Sequence, residues 1–188
     1  MTYPTNRPEL LRRFNAGESF RFVFFWGHQP KIRQTVDHHC LSQWFAAPFK
    51  IDGVTYPTAE HFMMAEKARL FGDTTTLAAI LQAKDPGTVK SLGRKVNGFI
   101  QREWEQQRFE IVVRGNRAKF AQNPALNDYL QSTADCILVE ASPYDLIWGI
   151  DIAEHDEAVH NPNRWRGLNL LGFAIMAVRA HWRNDRPA

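Results

Sequence analysis

The chain of 188 residues is 44% hydrophobic, carries a net charge of +3 and contains two cysteines, Cys40 and Cys136. This length and apolar content suffice for one sizeable core, so the sequence predicts a single domain rather than two. The mild positive charge argues against a nucleic-acid backbone as the main partner, but it suits a phosphate-bearing small molecule. Two distant thiols make no disulfide framework, and we find neither an apolar run of membrane-spanning length nor a signal-peptide core. We therefore expect a cytoplasmic protein without a membrane partner.

The N-terminal part of the chain predicts a polar lead-in followed by strands. Residues 1–20 are interrupted by prolines, with a short helix expected at residues 9–14, and we assign the domain to residues 21–188. FRFVFFWG, residues 20–27, is rich in β-forming side chains and stops at a glycine, which predicts a strand. KIDGVTY, residues 50–56, contains the Asp-Gly pair typical of a tight hairpin turn.

Helices dominate the remainder of the chain. Besides the helix described next, the pattern predicts helices over residues 74–83, 101–120, 126–133 and 170–182, and an apolar strand over residues 136–142. The fold class is therefore expected to be mainly α (multihelical) with a few short β-strands, arranged as a single compact domain.

The stretch YPTAEHFMMAEKARLFGD, residues 56–73, is the one around which we organise the chain. It predicts an amphipathic helix from about Ala59 to Phe71, because Thr58 is a suitable N-cap and the run lacks glycine and proline until Gly72. Most of its apolar residues fall on one broad arc of the helix.

Glu60 and Lys67 lie two turns apart within that apolar arc, beside Met63, Met64 and Phe71. A carboxylate and an ammonium among apolar side chains are costly unless they are paired or used. Both are therefore candidate catalytic residues that line a cleft. The alternative is that Glu60 simply favours the helix dipole while Lys67 extends to water.

Two shorter segments before this helix carry residues with site chemistry. His38, His39 and Cys40 are sequential rather than facing one another, and no second cluster with ligand spacing follows. We therefore predict no metal, and no cofactor. Trp44 and Phe45 either belong to the core, which is the default, or form the wall of a substrate pocket.

Later residues suggest contacts to a substrate. Arg94, beside Gly93, is either a fork for phosphate or carboxylate or a solvated surface residue. A loop rich in Trp, Gly, Asn and Asp follows the predicted strand at residues 136–142. Such a composition suits a ligand site because glycine permits close approach and tryptophan stacks on planar groups. A purely structural loop is the competing interpretation. Its candidate residues are Asp145, Trp148, Gly149, Asp151, Trp165, Gly167 and Asn169.

Taken together, six segments resemble the NADAR domain family, which includes the YbiA-type N-glycosidases. They occur in order between about Cys40 and Arg179 as LSQWFAAPF, YPTAEHFMMAEKA, LGRKV, RAKFAQNPAL, LVEASPYDLIWGIDI and WRGLNLLGFAIMAVR. The sequence departs from the expected pattern in WGID, where Asp151 occupies the place of a second glycine. The resemblance implies a mainly helical single domain that cleaves the N-glycosidic bond between a phosphorylated ribose and a base.

The family resemblance implies two substrate classes. One comprises the ribosylamino-pyrimidine phosphates of riboflavin biosynthesis, and the other comprises ADP-ribose joined to guanine, free or within ADP-ribosylated nucleic acid. We expect Glu60, Lys67 and Asp151 to be catalytic. The substrate-binding set is Trp44, Phe45, Arg94, Asp145, Trp148, Gly149, Trp165, Gly167 and Asn169. Two alternatives are a non-catalytic ADP-ribose or nucleotide reader, which needs the Trp and Arg residues but no nucleophile, and a purely structural helical domain.

Overall fold

The computed structural model describes residues 3–29 and 35–184. Within those residues the fold is mainly helical with four short strands, as the sequence predicts. The helices and strands are α1 Arg7–Asn15, β1 Phe22–Phe25, β2 Phe49–Ile51, β3 Val54–Tyr56, α2 Ala59–Leu70, α3 Thr74–Gln82, α4 Pro86–Gly93, α5 Gln101–Gln122, α6 Pro124–Ser132, β4 Ile137–Glu140 and α7 Leu170–Asn184. Short 3-10 helices are formed by His38–Leu41, Glu157–His160 and Pro162–Arg164.

The chain divides into two compact units. The central unit is Gln43–Pro124, and the terminal unit comprises Met1–Ser42 together with Ala125–Ala188. Each has its own buried apolar residues, and each is described by itself below.

The central unit opens with the hairpin that the sequence predicts. Strands β2 and β3 pair antiparallel with Phe49 opposite Tyr56. Asp52 and Gly53 join them with φ angles of 48° and 82°. Both values lie in the left-handed region that a type I′ turn requires, and an Asp-Gly pair adopts that region at low cost. The chain leaves the hairpin directly into helix α2.

Helix α2 begins and ends close to the predicted positions, but it is buried more extensively than an amphipathic pattern implies. The Thr58 side chain caps it by accepting from the backbone N–H of His61 at 3.4 Å. Eight of its 12 residues are buried, including every residue from Ala59 to Ala65. The reason is that α3, α4 and α5 all pack against it. Its first two turns therefore have no solvent face.

Helix α4 is absent from the sequence-based prediction, which gives no helix between residue 83 and residue 101. The Asp85 carboxylate caps the helix by accepting from Thr88 N–H at 2.8 Å, and Pro86 occupies the first turn, where its missing N–H costs nothing. Gly93 then brings the end of α4 against α2, because a Cβ at this position would lie 2.0 Å from the Met64 sulfur. The Asp85-Pro86 pair therefore begins a helix.

The terminal unit is built around a parallel pair of strands. β1 and β4, the two strands predicted from apolar runs, pair in parallel with Phe22 opposite Ile137. Helix α7 packs against β4. Helix α1, within the predicted lead-in, is longer than the expected helix at residues 9–14. It packs against the 3-10 helix Pro162–Arg164, and Asn15 exchanges hydrogen bonds with Asn163 at 3.2 and 2.9 Å.

Candidate functional site

Glu60 lies in the first turn of α2 and is buried, with 3% of its surface exposed. Its backbone N–H donates to the carbonyl oxygen of Gln43 at 3.0 Å, so the turn is anchored from outside the helix. Ala59 and Met63, which flank it, are buried as well. The sequence predicts that the Glu60 carboxylate lies among apolar side chains of its own helix, and its buried neighbours on α2 agree with this prediction.

Lys67, nearly two turns further along α2, is half-buried and lies against aromatic rings. Its Nζ donates to the Gly93 carbonyl at 2.8 Å and lies 4.2 Å from the ring centroid of Phe99 and 5.6 Å from that of Trp104. Burial lowers the pKa of Lys67 below its ordinary value of 10.5. A lowered pKa increases the fraction of the neutral amine, which is the nucleophilic form.

The predicted aromatic residues Trp44 and Phe45 are half-buried and lie near lysines of the same unit. The Lys90 ammonium lies 5.9 Å from the Trp44 ring centroid. The ammonium of Lys119, which is fully buried, lies 5.8 Å from the Phe45 ring centroid. Arg94 follows the last residue of α4 and is exposed, so a phosphate in solution can approach it.

The sequence-based search missed several buried polar residues of this unit. His61 is 1% exposed, and its ring nitrogens lie 2.8 Å from the Thr58 hydroxyl and 3.2 Å from the Ala83 carbonyl oxygen. Burial lowers its pKa below 6.5. Asn116 and Lys119 are fully buried on α5. Their spacing with Val112 places all three on one helical face, and this periodicity was the available signal.

In the terminal unit, Asp145 and Trp148 belong to one tight turn. Asp145 Oδ1 accepts from the backbone N–H groups of Ile147 at 2.9 Å and Trp148 at 2.8 Å. Such a carboxylate shapes its own loop. Trp148 is half-buried, which leaves part of its ring accessible.

Gly149 and Gly167 allow two loop segments to approach each other closely. A Cβ on Gly167 would lie 2.2 Å from the Gly149 carbonyl oxygen, and one on Gly149 would lie 2.9 Å from the Glu140 carbonyl oxygen. These glycines are therefore required by backbone packing in this loop.

Asn169 is fully buried and hydrogen-bonds to β4. Its Nδ2 donates to the Leu138 carbonyl at 2.9 Å, and its Oδ1 accepts from the Glu140 N–H at 3.0 Å. The side chain thus occupies hydrogen-bonding positions of β4 that a neighbouring strand would otherwise use. The backbone φ of Asn169 is 55°, a left-handed value that asparagine tolerates.

Asp151 also has a left-handed backbone, with φ of 56°. This conformation explains why the family resemblance leads us to expect glycine there, since glycine adopts it most readily. The Asp151 carboxylate pairs with Arg166 Nε at 2.8 Å, and Arg166 Nη2 donates to the Asp151 carbonyl at 2.9 Å. The ion pair with Arg166 thus holds Asp151 at the position where the family pattern has glycine.

The structure encloses Trp165 in the core of the terminal unit. It is 1% exposed, its indole N–H donates to the Val159 carbonyl at 2.8 Å, and its ring packs edge-on against Phe22. Its backbone carbonyl accepts from the Arg7 guanidinium. A ring surrounded in this way packs against protein rather than presenting a stacking face.

Within the described ranges 3–29 and 35–184, one group of side chains offers metal-ligand chemistry. Single ligand atoms of Asp37, His38 and His39 lie within 4.8 Å of one another. Asp37 Oδ1 already accepts from the backbone N–H of His39 at 2.9 Å and lies 2.8 Å from its Nδ1. The carboxylate therefore caps the 3-10 helix, and the prediction that the protein holds no metal stays a prediction.

The predicted site residues thus fall into two sets. Glu60, Lys67, Trp44, Phe45 and Arg94 belong to the central unit, where the ionisable members project from regular helices or follow one. The remaining predicted residues belong to the terminal unit, and most of them hydrogen-bond to backbone or allow close backbone packing. The family model of the NADAR domain matches residues 24–183, a continuous run that includes residues of both units. The chain belongs to the NADAR family.

Relatives agree with this assignment. The chain is 41% identical to an N-glycosidase of Acanthamoeba polyphaga mimivirus over 86% of its own length and 96% of that protein. It is 30% identical to the N-glycosidase YbiA of Escherichia coli over 76% of this chain and 81% of YbiA. It is also 33% identical to a chloroplastic riboflavin biosynthesis protein of Zea mays, over 73% of this chain and 21% of that longer protein.

The fold agrees as well. The NMR structure of the E. coli protein YbiA matches with a TM-score of 0.69 and 26% identity, over 91% of this chain and 92% of YbiA. The family and the enzyme class predicted from the sequence, a hydrolase of N-glycosyl bonds, are therefore confirmed. No helix in the described part of the chain is long and apolar enough to cross a membrane.

Proposed function

We propose that this NADAR N-glycosidase hydrolyses the bond between C1 of a phosphorylated ribose and a nitrogen of a base. The observation that carries the proposal is the pair of ionisable side chains on α2. Glu60 is a buried carboxylate in its first turn, and Lys67 is a half-buried amine near its end whose pKa burial lowers. A carboxylate and a partly desolvated amine on one rigid helix suit cleavage at a sugar C1 through a covalent intermediate.

Glu60 has the role of stabilising the sugar as the bond breaks. Departure of the base leaves positive, oxocarbenium-like charge on C1 and the ring oxygen, and a fixed carboxylate in a poorly solvated position stabilises that charge strongly. The same carboxylate can accept a proton from an attacking water molecule. Its rigid placement in the first turn of α2 favours both roles because little reorganisation is needed.

Lys67 has the role of nucleophile. Its neutral amine attacks C1 and the C1–N bond to the base breaks, so that the base nitrogen takes up a proton as the base leaves. That proton is one of the two on the attacking amine, and the other passes to the ring oxygen as the sugar ring opens, which gives a Schiff base between Nζ and C1. Water then adds to C1, and the free amine and the ribose phosphate are released. Direct attack by water, with Lys67 as an electrostatic group only, is the alternative route.

For the substrate, we favour the ribosylamino-pyrimidine phosphates of riboflavin biosynthesis over ADP-ribosylated guanine. The Zea mays relative is named a riboflavin biosynthesis protein, which supports this choice. Both classes contain a C1–N bond on a ribose that carries a phosphate, so the same α2 chemistry serves either. We propose that Trp44 and Phe45 contact the base and that Arg94 contacts a phosphate. Trp148, in the terminal unit, stays a proposed substrate contact.

For the remaining predicted residues, we propose supporting roles that follow from their contacts. Asp145, Gly149, Gly167 and Asn169 keep the terminal-unit loop in shape, and Asp151 does so through its ion pair with Arg166. Localisation in the cytoplasm also remains our proposal.

The test is incubation of the purified protein with each substrate class, followed by mass analysis of the products. We expect the free base and a ribose phosphate from the pyrimidine substrate, and a lower rate with ADP-ribosylated guanosine. An O-linked ribosyl phosphate serves as the control and is expected to remain intact. Binding of either ribosyl substrate without release of a base would instead establish the nucleotide reader and overturn the proposal.

A further inference from the structure

A chain of hydrogen bonds connects α5 to the first turn of α2. Asn116 Nδ2, on α5, donates to Gln43 Oε1 at 2.8 Å. The backbone carbonyl of Gln43 in turn accepts from the N–H of Glu60 at 3.0 Å. Gln43 is therefore the one residue that links the amide of Asn116 to the backbone of the proposed catalytic carboxylate.

This chain of hydrogen bonds is buried along its whole length. Asn116 is 0%, Glu60 3% and Gln43 7% exposed. Because water does not compete there, breaking one of these bonds leaves a polar group with no replacement partner. The geometry of the chain is accordingly held more firmly than it would be at the surface.

The orientation of the Asn116 amide is fixed by its two acceptors. Its Nδ2 also donates to the Val112 carbonyl at 2.9 Å, so rotating the amide by half a turn would place Oδ1 against two acceptor oxygens. Oδ1 itself has no hydrogen-bond partner among the described residues. The two donor contacts alone therefore set the orientation, and they direct it towards Gln43.

Gln43 also begins the segment that carries the predicted aromatic contacts Trp44 and Phe45. Four residues after Gln43, the N–H of Ala47 donates to the Pro57 carbonyl at 3.2 Å, just before the start of α2. The segment is thus bonded to the first turn of α2 at Gln43 and to Pro57, just before the N-cap of α2, at Ala47. A shift of Gln43 would move the Glu60 backbone and the start of this aromatic segment together.

We propose that Asn116 and Gln43 are positioning residues that hold Glu60 in its reactive orientation. The inference rests on the proposed function of Glu60. Neither residue needs to contact the substrate for this role. A misplacement of about 1 Å at a reacting group costs on the order of 100-fold in rate, so loss of this link affects catalysis even when the fold persists.

The chain offers a control residue at the C-terminal end of the same helix, directly after Gln122. Asn123 Nδ2 donates to the carbonyl four residues earlier, that of Lys119, at 2.8 Å, and to the Pro48 carbonyl at 3.2 Å. Like Asn116, it therefore donates to the carbonyl four residues earlier on α5 and to the segment before α2. Neither bond leads to Glu60.

The experiment compares kcat and KM for Asn116→Ala, Gln43→Met and Asn123→Ala, with melting curves for each, on a ribosyl substrate that the wild type cleaves. Methionine keeps the volume of Gln43 but removes its acceptor, so this variant tests the link should Asn116→Ala fail to fold. We expect kcat to fall about 10- to 100-fold in the first two variants. Asn123→Ala should keep kcat within about twofold.

The double variant Asn116→Ala with Gln43→Met provides a readout that general destabilisation would not produce. Two residues that act through one hydrogen bond lose it only once, so kcat of the double variant should match the more impaired single variant. Multiplicative losses, or wild-type kcat in both folded single variants, would overturn the inference. Glu60→Gln is measured alongside: if it keeps wild-type kcat, the proposed role of Glu60 fails instead.

Discussion

The two units use polar side chains in different ways. In the central unit, Glu60, Lys67 and Lys119 project from regular helices, and Lys67 Nζ donates to the Gly93 carbonyl. In the terminal unit, the polar side chains project from a loop instead and hydrogen-bond to backbone groups: Asp145 to the backbone of its own loop and Asn169 to the backbone of β4. Glu60 and Lys67, the two ionisable groups of the proposed reaction, thus both project from one regular helix of the central unit. We therefore assign the reaction to the central unit, and structural support to most of the terminal-unit loop.

Replacement of the buried carboxylate should give the largest effect on activity. Glu60→Gln keeps the shape of the side chain but removes its charge, so we expect kcat to fall about 100- to 10,000-fold. Steady-state kinetics with thermal melting checks this. Glu66→Gln on the same helix is the control, because Glu66 pairs with Arg69 and Arg114 at the surface. Comparable losses in both variants would remove the special role of Glu60.

Trp165→Ala should mainly affect stability. The ring is enclosed in the terminal unit, so truncation leaves a cavity and is expected to lower the free energy of unfolding by about 3–5 kcal/mol. Denaturant unfolding measures the change. A folded variant of wild-type stability with a raised KM would contradict this assignment and return Trp165 to the substrate-binding set.

Trp148→Ala should show the opposite behaviour. Its ring is only half-buried, and stacking of a base on such a ring contributes about 1–3 kcal/mol. We expect KM to rise about tenfold, with a smaller loss of stability than in Trp165→Ala. Substrate titration of both tryptophan variants distinguishes them. If KM is unchanged in Trp148→Ala, the terminal-unit loop contributes no ring to binding.

The smallest effect concerns pH. His61 has a folded-state pKa below its ordinary 6.5 because of burial. As the pH falls below 6.5, the unfolded chain therefore takes up a proton before the folded chain does, and stability should decline until the pH reaches the folded-state pKa. His61→Gln should remove this part of the decline in melting temperature. The exposed His155→Gln should leave it unchanged.

The sequence was informative wherever one local rule decides the structure. The Asp52-Gly53 turn and the Thr58 cap each depend on the chemistry of a few neighbouring residues, and both form as predicted. The burial of Glu60 followed from the apolar neighbours on its own helix. Helix α4 was missed although its Asp85 cap obeys the same local rule.

The remainder depends on contacts between residues distant in the chain. The link from Asn116 to Gln43 spans 73 positions, and no local pattern predicts which amide meets which carbonyl. Glycine and asparagine in the terminal-unit loop posed a different difficulty. A close backbone approach calls for the same residue types whether the neighbour is a ligand or the protein itself, and Gly167 and Asn169 have protein neighbours here.

The account rests most directly on Lys67 as the nucleophile of an N-glycosidase. Borohydride added during turnover should reduce the Schiff base and leave a ribose phosphate adduct that peptide mapping places on Lys67. Lys67→Arg, which stays protonated and cannot form the imine, should fold normally, give no adduct and lose nearly all turnover. An adduct on another lysine, or wild-type turnover by Lys67→Arg, would contradict the account.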